Sequence, residues 1–179
     1  MKLNIKFDKT RVLPLILTGS IILVDQLTKA LIAAKGPIGT LIADVFNNGF
    51  LQIYHVRNKA IAFSLGQGVP DAAKPVLFVV LPILVLCVLL WYYLSSDDFT
   101  CLQRWATAGI LGGGIGNIID RILRTDGVVD FIDIKFYNIF HLDRWPTFNV
   151  ADSSVVVCCL LLFVTLIIGS IKPREKTGQ

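Results

Sequence analysis

Residues 75–94 and 153–171 each run their full length without one charged side chain. A helix of about 20 mainly apolar residues crosses a bilayer. Inside hydrocarbon, backbone N–H and C=O groups find partners only within such a helix or a closed barrel. Two further segments are long enough but carry polar interruptions. Residues 12–34 contain Asp25, Gln26 and Lys29, and residues 102–123 contain Asn117, Asp120 and Arg121. The sequence therefore predicts one integral membrane domain over residues 1–179, an all-α membrane protein with four transmembrane helices at 12–34, 75–94, 102–123 and 153–171. Composition agrees: 54% of residues are hydrophobic and 17% charged, against about 45–50% and about 25% in soluble domains.

Charge placement orients the chain. Lys2, Lys6, Lys9 and Arg11 precede the first apolar segment, and Lys172, Arg174 and Lys176 follow the last. The positive-inside rule puts both termini in the cytoplasm, and an even number of spans is consistent with that. The 95–100 connection is then cytoplasmic too, although Asp97 and Asp98 do not mark it as such. A basic start followed by an apolar stretch also resembles a signal peptide, but Asp25 and Lys29 interrupt the region before any cleavage site, which disfavours removal. No basic stripe with interleaved aromatics is present, so nucleic acid is not an expected partner. The four cysteines lack metal-ligand spacing, and neither a disulfide nor a zinc site is expected.

The connections 35–74 and 124–152 fall on the far side, and both are too apolar for idle linkers. Residues 50–56 and 128–136 are rich in β-formers. Residues 60–63 add an apolar patch, and Trp145 a bulky aromatic. These loops read as a small extracytoplasmic sheet lying on the membrane surface.

Ionisable groups at membrane depth are functional candidates by default. On the third span, Asn117, Asp120, Arg121 and Arg124 share one helical face. The glycines at 112, 113, 114 and 116 make a close-packing surface beside them. Asp25 and Lys29 stand one turn apart, in the favourable order for a salt bridge anchoring the first helix near the outer interface. Asn149 and Asp152 project together at the start of the last span, where Asp152 meets the positive end of the helix dipole or acts as its N-cap. Asp130, in a strand-like stretch, has no capping role and is otherwise a solvated loop carboxylate. Two carboxylates beside apolar runs suggest a pair sharing one proton, as in aspartic proteases. A proton-coupled transporter uses similar groups. Against it stand four spans, no internal repeat and no paired broken helices. A scaffold subunit held by glycine contacts would leave the polar face of the third span unexplained.

Five ordered motifs carry a resemblance. They are Asp25-Gln26-Leu27-Thr28-Lys29, Asn58-Lys59-Ala60-Ile61-Ala62-Phe63-Ser64, Gly116-Asn117-Ile118-Ile119-Asp120-Arg121, Val128-Val129-Asp130-Phe131-Ile132 and Phe148-Asn149-Val150-Ala151-Asp152-Ser153. In this order the chain resembles lipoprotein signal peptidase (signal peptidase II), a family of bacterial membrane aspartyl proteases. Two features depart from the family pattern: Ala60 replaces a usual glycine, and residues 135–144 form a longer stretch. The resemblance implies four helices with a small extracytoplasmic β-cradle, in the bacterial cytoplasmic (inner) membrane. It implies cleavage of diacylglyceryl-modified prolipoproteins before the lipidated cysteine, at a site near the outer face, with no metal or organic cofactor. Asp130 and Asp152 would be the catalytic pair. Asn58, Asn117, Arg121 and Asn149 would position substrate and pair, and Asp25, Lys29 and Asp120 would support them. Expected partners are the lipid-modified prolipoprotein, membrane lipid and a globomycin-type inhibitor. Asp152, at a helix start, is expected to ionise more readily and leave the shared proton on Asp130.

Overall fold

The computed structural model describes residues 5–59, 70, 72–139 and 141–171. The apolar patch 60–63 lies outside them. One helical turn, α1 (Lys9–Val12), leads into α2 (Leu15–Lys35). The Asp8 carboxylate caps α1 by accepting from the Arg11 N–H at 3.0 Å. Pro14 then opens α2, where a missing N–H costs nothing. A π-helical turn at Val76–Val80 precedes α3 (Leu81–Ser95) and Pro82, which has no N–H for the usual ladder. The long helix α4 (Cys101–Leu123) starts with a reciprocal cap between Thr100 and Gln103, and α5 (Val150–Ile171) closes the described chain.

Three segments, Lys9–Lys35, Val76–Ser95 and Val150–Ser170, are long and apolar enough to cross a membrane. The fourth helix, α4, differs in kind. It packs against α2, α3 and α5 and is buried along most of its length. Its glycines permit this approach: a Cβ on Gly113 would stand 2.3 Å from the Ala151 carbonyl oxygen. Cys158 packs into α4, where a Cβ on Gly109 would meet its Sγ at 2.2 Å.

The loops build one antiparallel sheet in the order β1 (Leu41–Asp44), β2 (Leu51–Asn58), β3 (Val128–Ile139) and β4 (Leu142–Arg144). The two anticipated strands are β2 and β3, while the short outer strands β1 and β4 were not anticipated. The long stretch 135–144 is the β3–β4 hairpin. Ile32 of α2 packs with Val129 and Phe131 beneath the sheet.

At the opposite end of the bundle, Asp97 pairs with Lys6 and with Arg11, the latter at 2.5 Å, and the Tyr93 hydroxyl donates to the Arg11 carbonyl at 2.5 Å. The acidic α3–α4 turn therefore sits at the same end as the basic N-terminal segment. Its own composition did not reveal this, because the matching cations lie about 90 residues away in sequence.

Candidate active site

Asp130 is the third residue of β3 and pairs in register with Val56 of β2, which brings Asn58 beside it. The turn from α4 into β3 depends on Gly127, whose φ is +98°. A Cβ there would stand 2.4 Å from the Asn58 carbonyl oxygen. Asp120 of α4 fastens the strand by accepting from the Val129 N–H at 3.0 Å. Asn58 Nδ2 donates to Asp130 Oδ2 at 2.9 Å, and Asn149 Nδ2 to Asp130 Oδ1 at 2.8 Å.

Asp152 reaches the same place from α5. That helix starts at Val150, three residues before the expected 153, because Asn149 supplies its cap. Asn149 Oδ1 accepts from the Asp152 N–H at 2.9 Å, and Asp152 Oδ2 accepts from the Asn149 N–H at 3.1 Å. Asp152 is thus the third helical residue of a reciprocal box, not the N-cap. Its other oxygen accepts from Asn117 Nδ2 at 2.7 Å, and Asn117 Oδ1 accepts from Asn149 Nδ2 at 3.1 Å. Two asparagine amides therefore join the carboxyls in one chain, Asp130 to Asn149 to Asn117 to Asp152.

Beneath them lies a dry ionic layer. Asp25, Lys29 and Asp120 are fully buried. Lys29 Nζ lies 2.8 Å from Asp25, 3.4 Å from Asp120 and 2.9 Å from Asn117 Oδ1. Asp25 accepts from the Ala151 N–H at 3.0 Å in the first turn of α5, and Arg124 adds a second cation 3.0 Å from Asp120. The interfacial salt bridge read from the sequence for Asp25 and Lys29 is corrected by this burial. Gly116 allows it, since a Cβ there would stand 2.7 Å from Asp25 Oδ2.

The sequence reading gave no site role to Gln26, whose amide donates to Gly116 O at 3.0 Å and Asp120 Oδ1 at 3.1 Å. An uncharged polar residue inside an apolar helix was the available signal. Arg121, one turn beyond Asn117, lies within electrostatic reach of Asp152, Asp130 and Asp120. Among the described residues no hydrogen bond engages its guanidinium, and no three His, Cys, Asp or Glu side chains converge as metal ligands.

Burial pushes the Asp130 carboxyl up to about 7. Repulsion from Asp152 acts in the same direction, while the amides of Asn58 and Asn149 and the Lys29 charge oppose it. Each carboxyl receives two N–H donors, and Asp130 is the one able to hold a proton near neutrality.

Residues 17–168 match the family described as Signal peptidase (SPase) II. A lipoprotein signal peptidase of Treponema denticola is 45% identical over 163 residues, covering 91% of this chain and 93% of that protein. That of Treponema pallidum is 40% identical over 167 residues, covering 93% and 89%. A bacterial membrane enzyme solved in meso at 2.3 Å superposes with a TM-score of 0.77 at 30% identity, covering 93% of this chain and 94% of its own. With the match running through nearly the whole chain, this protein belongs to the signal peptidase II family.

Proposed function

We propose that this chain is the aspartic endopeptidase that removes signal peptides from diacylglyceryl-modified prolipoproteins, cutting before the lipidated cysteine. Membership of the family supports the reaction, and the amide-linked Asp130–Asp152 pair carries the mechanism. Asp152, in the first turn of α5 at the positive end of its dipole, acts as the base that takes a proton from water. Asp130 gives its proton to the scissile carbonyl oxygen as the water oxygen attacks. The resulting gem-diol then collapses: the proton held by Asp152 passes to the leaving amine, the C–N bond breaks, and one gem-diol hydroxyl returns its proton to Asp130 as the new carboxylic acid forms. Asn58, Asn117 and Asn149 hold the pair, Asp25, Lys29 and Asp120 hold those amides and backbones, and Arg121 binds a substrate carbonyl.

The chain functions as one integral domain in the bacterial inner membrane. α4 spans as well, the third of four in chain order, and both termini and the Asp97 turn are cytoplasmic. The acid pair then lies near the outer face, where the acyl chains of a membrane-bound substrate hold the cleavage point. Exposed Phe46 and Phe50 of the β1–β2 connection, with Tyr137 and Ile139 of β3, suit the aromatic belt of that interface. Phe50 and Tyr137 stack with ring centroids 6.4 Å apart. A globomycin-type cyclic peptide is expected to occupy the same groove.

The direct test is cleavage of a lipid-modified prolipoprotein by the purified protein, blocked by globomycin; no cleavage of a correctly lipidated substrate would remove the reading. The rate should fall as pH rises through about 7, where Asp130 loses the proton it must donate. A rate that stays flat or climbs above neutrality would contradict that role. Arg121→Lys keeps the charge but loses the fork of donors. About 1.5–3 kcal/mol for a hydrogen bond to a charged group corresponds to roughly 10–100-fold slower cleavage. Thermal stability should change little, and an equal loss of both would make Arg121 a structural residue.

A further inference from the structure

Away from the acid pair, α1, the α3–α4 turn and the first turn of α4 line an open cavity of about 600 Å³. Its charged lining consists of Lys9, Arg11 and Arg104 against Asp8 and Asp97. Both carboxylates are already engaged. Arg11 pairs with each of them, and Lys6 approaches Asp97 from outside the cavity. Two cations are left over. Arg104 is only 5% exposed, yet it donates to nothing more acidic than the Tyr93 and Ser96 carbonyls, at 3.2 and 3.0 Å. Its guanidinium otherwise faces the Tyr93 and Phe99 rings, 5.6 and 5.5 Å from their centroids. Among the described residues neither Arg104 nor Lys9 has a carboxylate within ion-pair distance. Among the described residues the buried Arg11 Nε has no acceptor, and its side chain is 4% exposed.

A buried guanidinium without a counter-charge is unfavourable until an anion reaches it. The positive end of α4 also opens here, with Cys101 in the cavity wall. Exposed apolar side chains adjoin it: Leu13 of the lining is 54% exposed, and Leu102, next in the chain to the lining residue Cys101, 50%. A ligand matching both features carries a phosphate on a hydrocarbon body, and a choline group would meet Lys9 unfavourably. Basic pockets at the cytoplasmic ends of helices hold anionic headgroups in this way.

We propose that this cavity binds the phosphate of an anionic phospholipid, with acyl chains running along Leu13 and Leu102. The proposal rests on the chain being membrane-embedded and is independent of the peptidase chemistry. Native mass spectrometry of the full-length protein in detergent tests it with phosphatidylglycerol, phosphatidylcholine and inorganic phosphate as probes. Phosphatidylglycerol should be retained about tenfold better than phosphatidylcholine, and millimolar phosphate should not displace it. Lys9→Glu and, separately, Cys101→Trp, which fills the cavity from an exposed position, should each lower that retention about tenfold at an unchanged unfolding midpoint. Equal retention of the two lipids, or retention indifferent to both substitutions, overturns the proposal. Displacement by phosphate overturns the lipid assignment in favour of a free-phosphate site. Prolipoprotein cleavage in the same preparations reports separately on the proposed enzyme activity.

Discussion

Replacing either Asp130 or Asp152 with Asn should slow prolipoprotein cleavage by about 1,000-fold or more, since each removes one proton carrier from a two-carrier reaction. The two variants should also reveal how tightly the pair is held. Both Asp130 oxygens accept amide N–H donors, from Asn58 and Asn149. Both Asp152 oxygens do so as well, from Asn117 and the Asn149 backbone. An Asn at either position turns one acceptor into an N–H₂ facing another donor, a cost of about 1–3 kcal/mol. A lower unfolding midpoint with the protein still folded is therefore expected beside the loss of turnover. Near-normal turnover in Asp130→Asn would exclude that carboxyl from the chemistry.

Lys29→Met should be the most damaging single change to folding. It leaves Asp25 and Asp120 buried without their shared cation, and removing one partner of a buried ion pair costs about 3–5 kcal/mol. The α5 start, held through Asp25 and the Ala151 N–H, and the β3 start, held through Asp120 and the Val129 N–H, should loosen together. Thermal unfolding should show a large drop, and adding Asp25→Asn with Asp120→Asn should restore part of it by removing the stranded charges. A midpoint unaffected by Lys29→Met would mean that this layer does not hold the site together.

How far the sequence could reveal this arrangement depends on the range of each interaction. The apolar segments were legible because solvation in a bilayer acts residue by residue along a helix. The polar face of α4 was legible because helical spacing places Asn117 and Asp120 together. The depth of Lys29 was not, because an acid and a base one turn apart read the same in water as in a core. What distinguishes them is Gly116 on another helix. The start of α5 was missed because Val150 and Ala151 continue an apolar loop, although Asn149 and Asp152 carry the spacing of a reciprocal cap. Strands β1 and β4, four and three residues long, are too short for alternation to register. Asn58 meets Asp130 only through sheet register, 72 positions apart. For that residue the family resemblance supplied what local pattern does not contain.

The Asn149 side chain has little freedom left: its oxygen holds the Asp152 N–H, and its nitrogen serves Asp130 and Asn117. The gap between the acids is therefore set when the chain folds, before any peptide arrives. Little reorganisation energy then remains for the chemical step. Adaptation to different lipoprotein sequences must come from movable surroundings, while the spacing of the acids themselves stays constant.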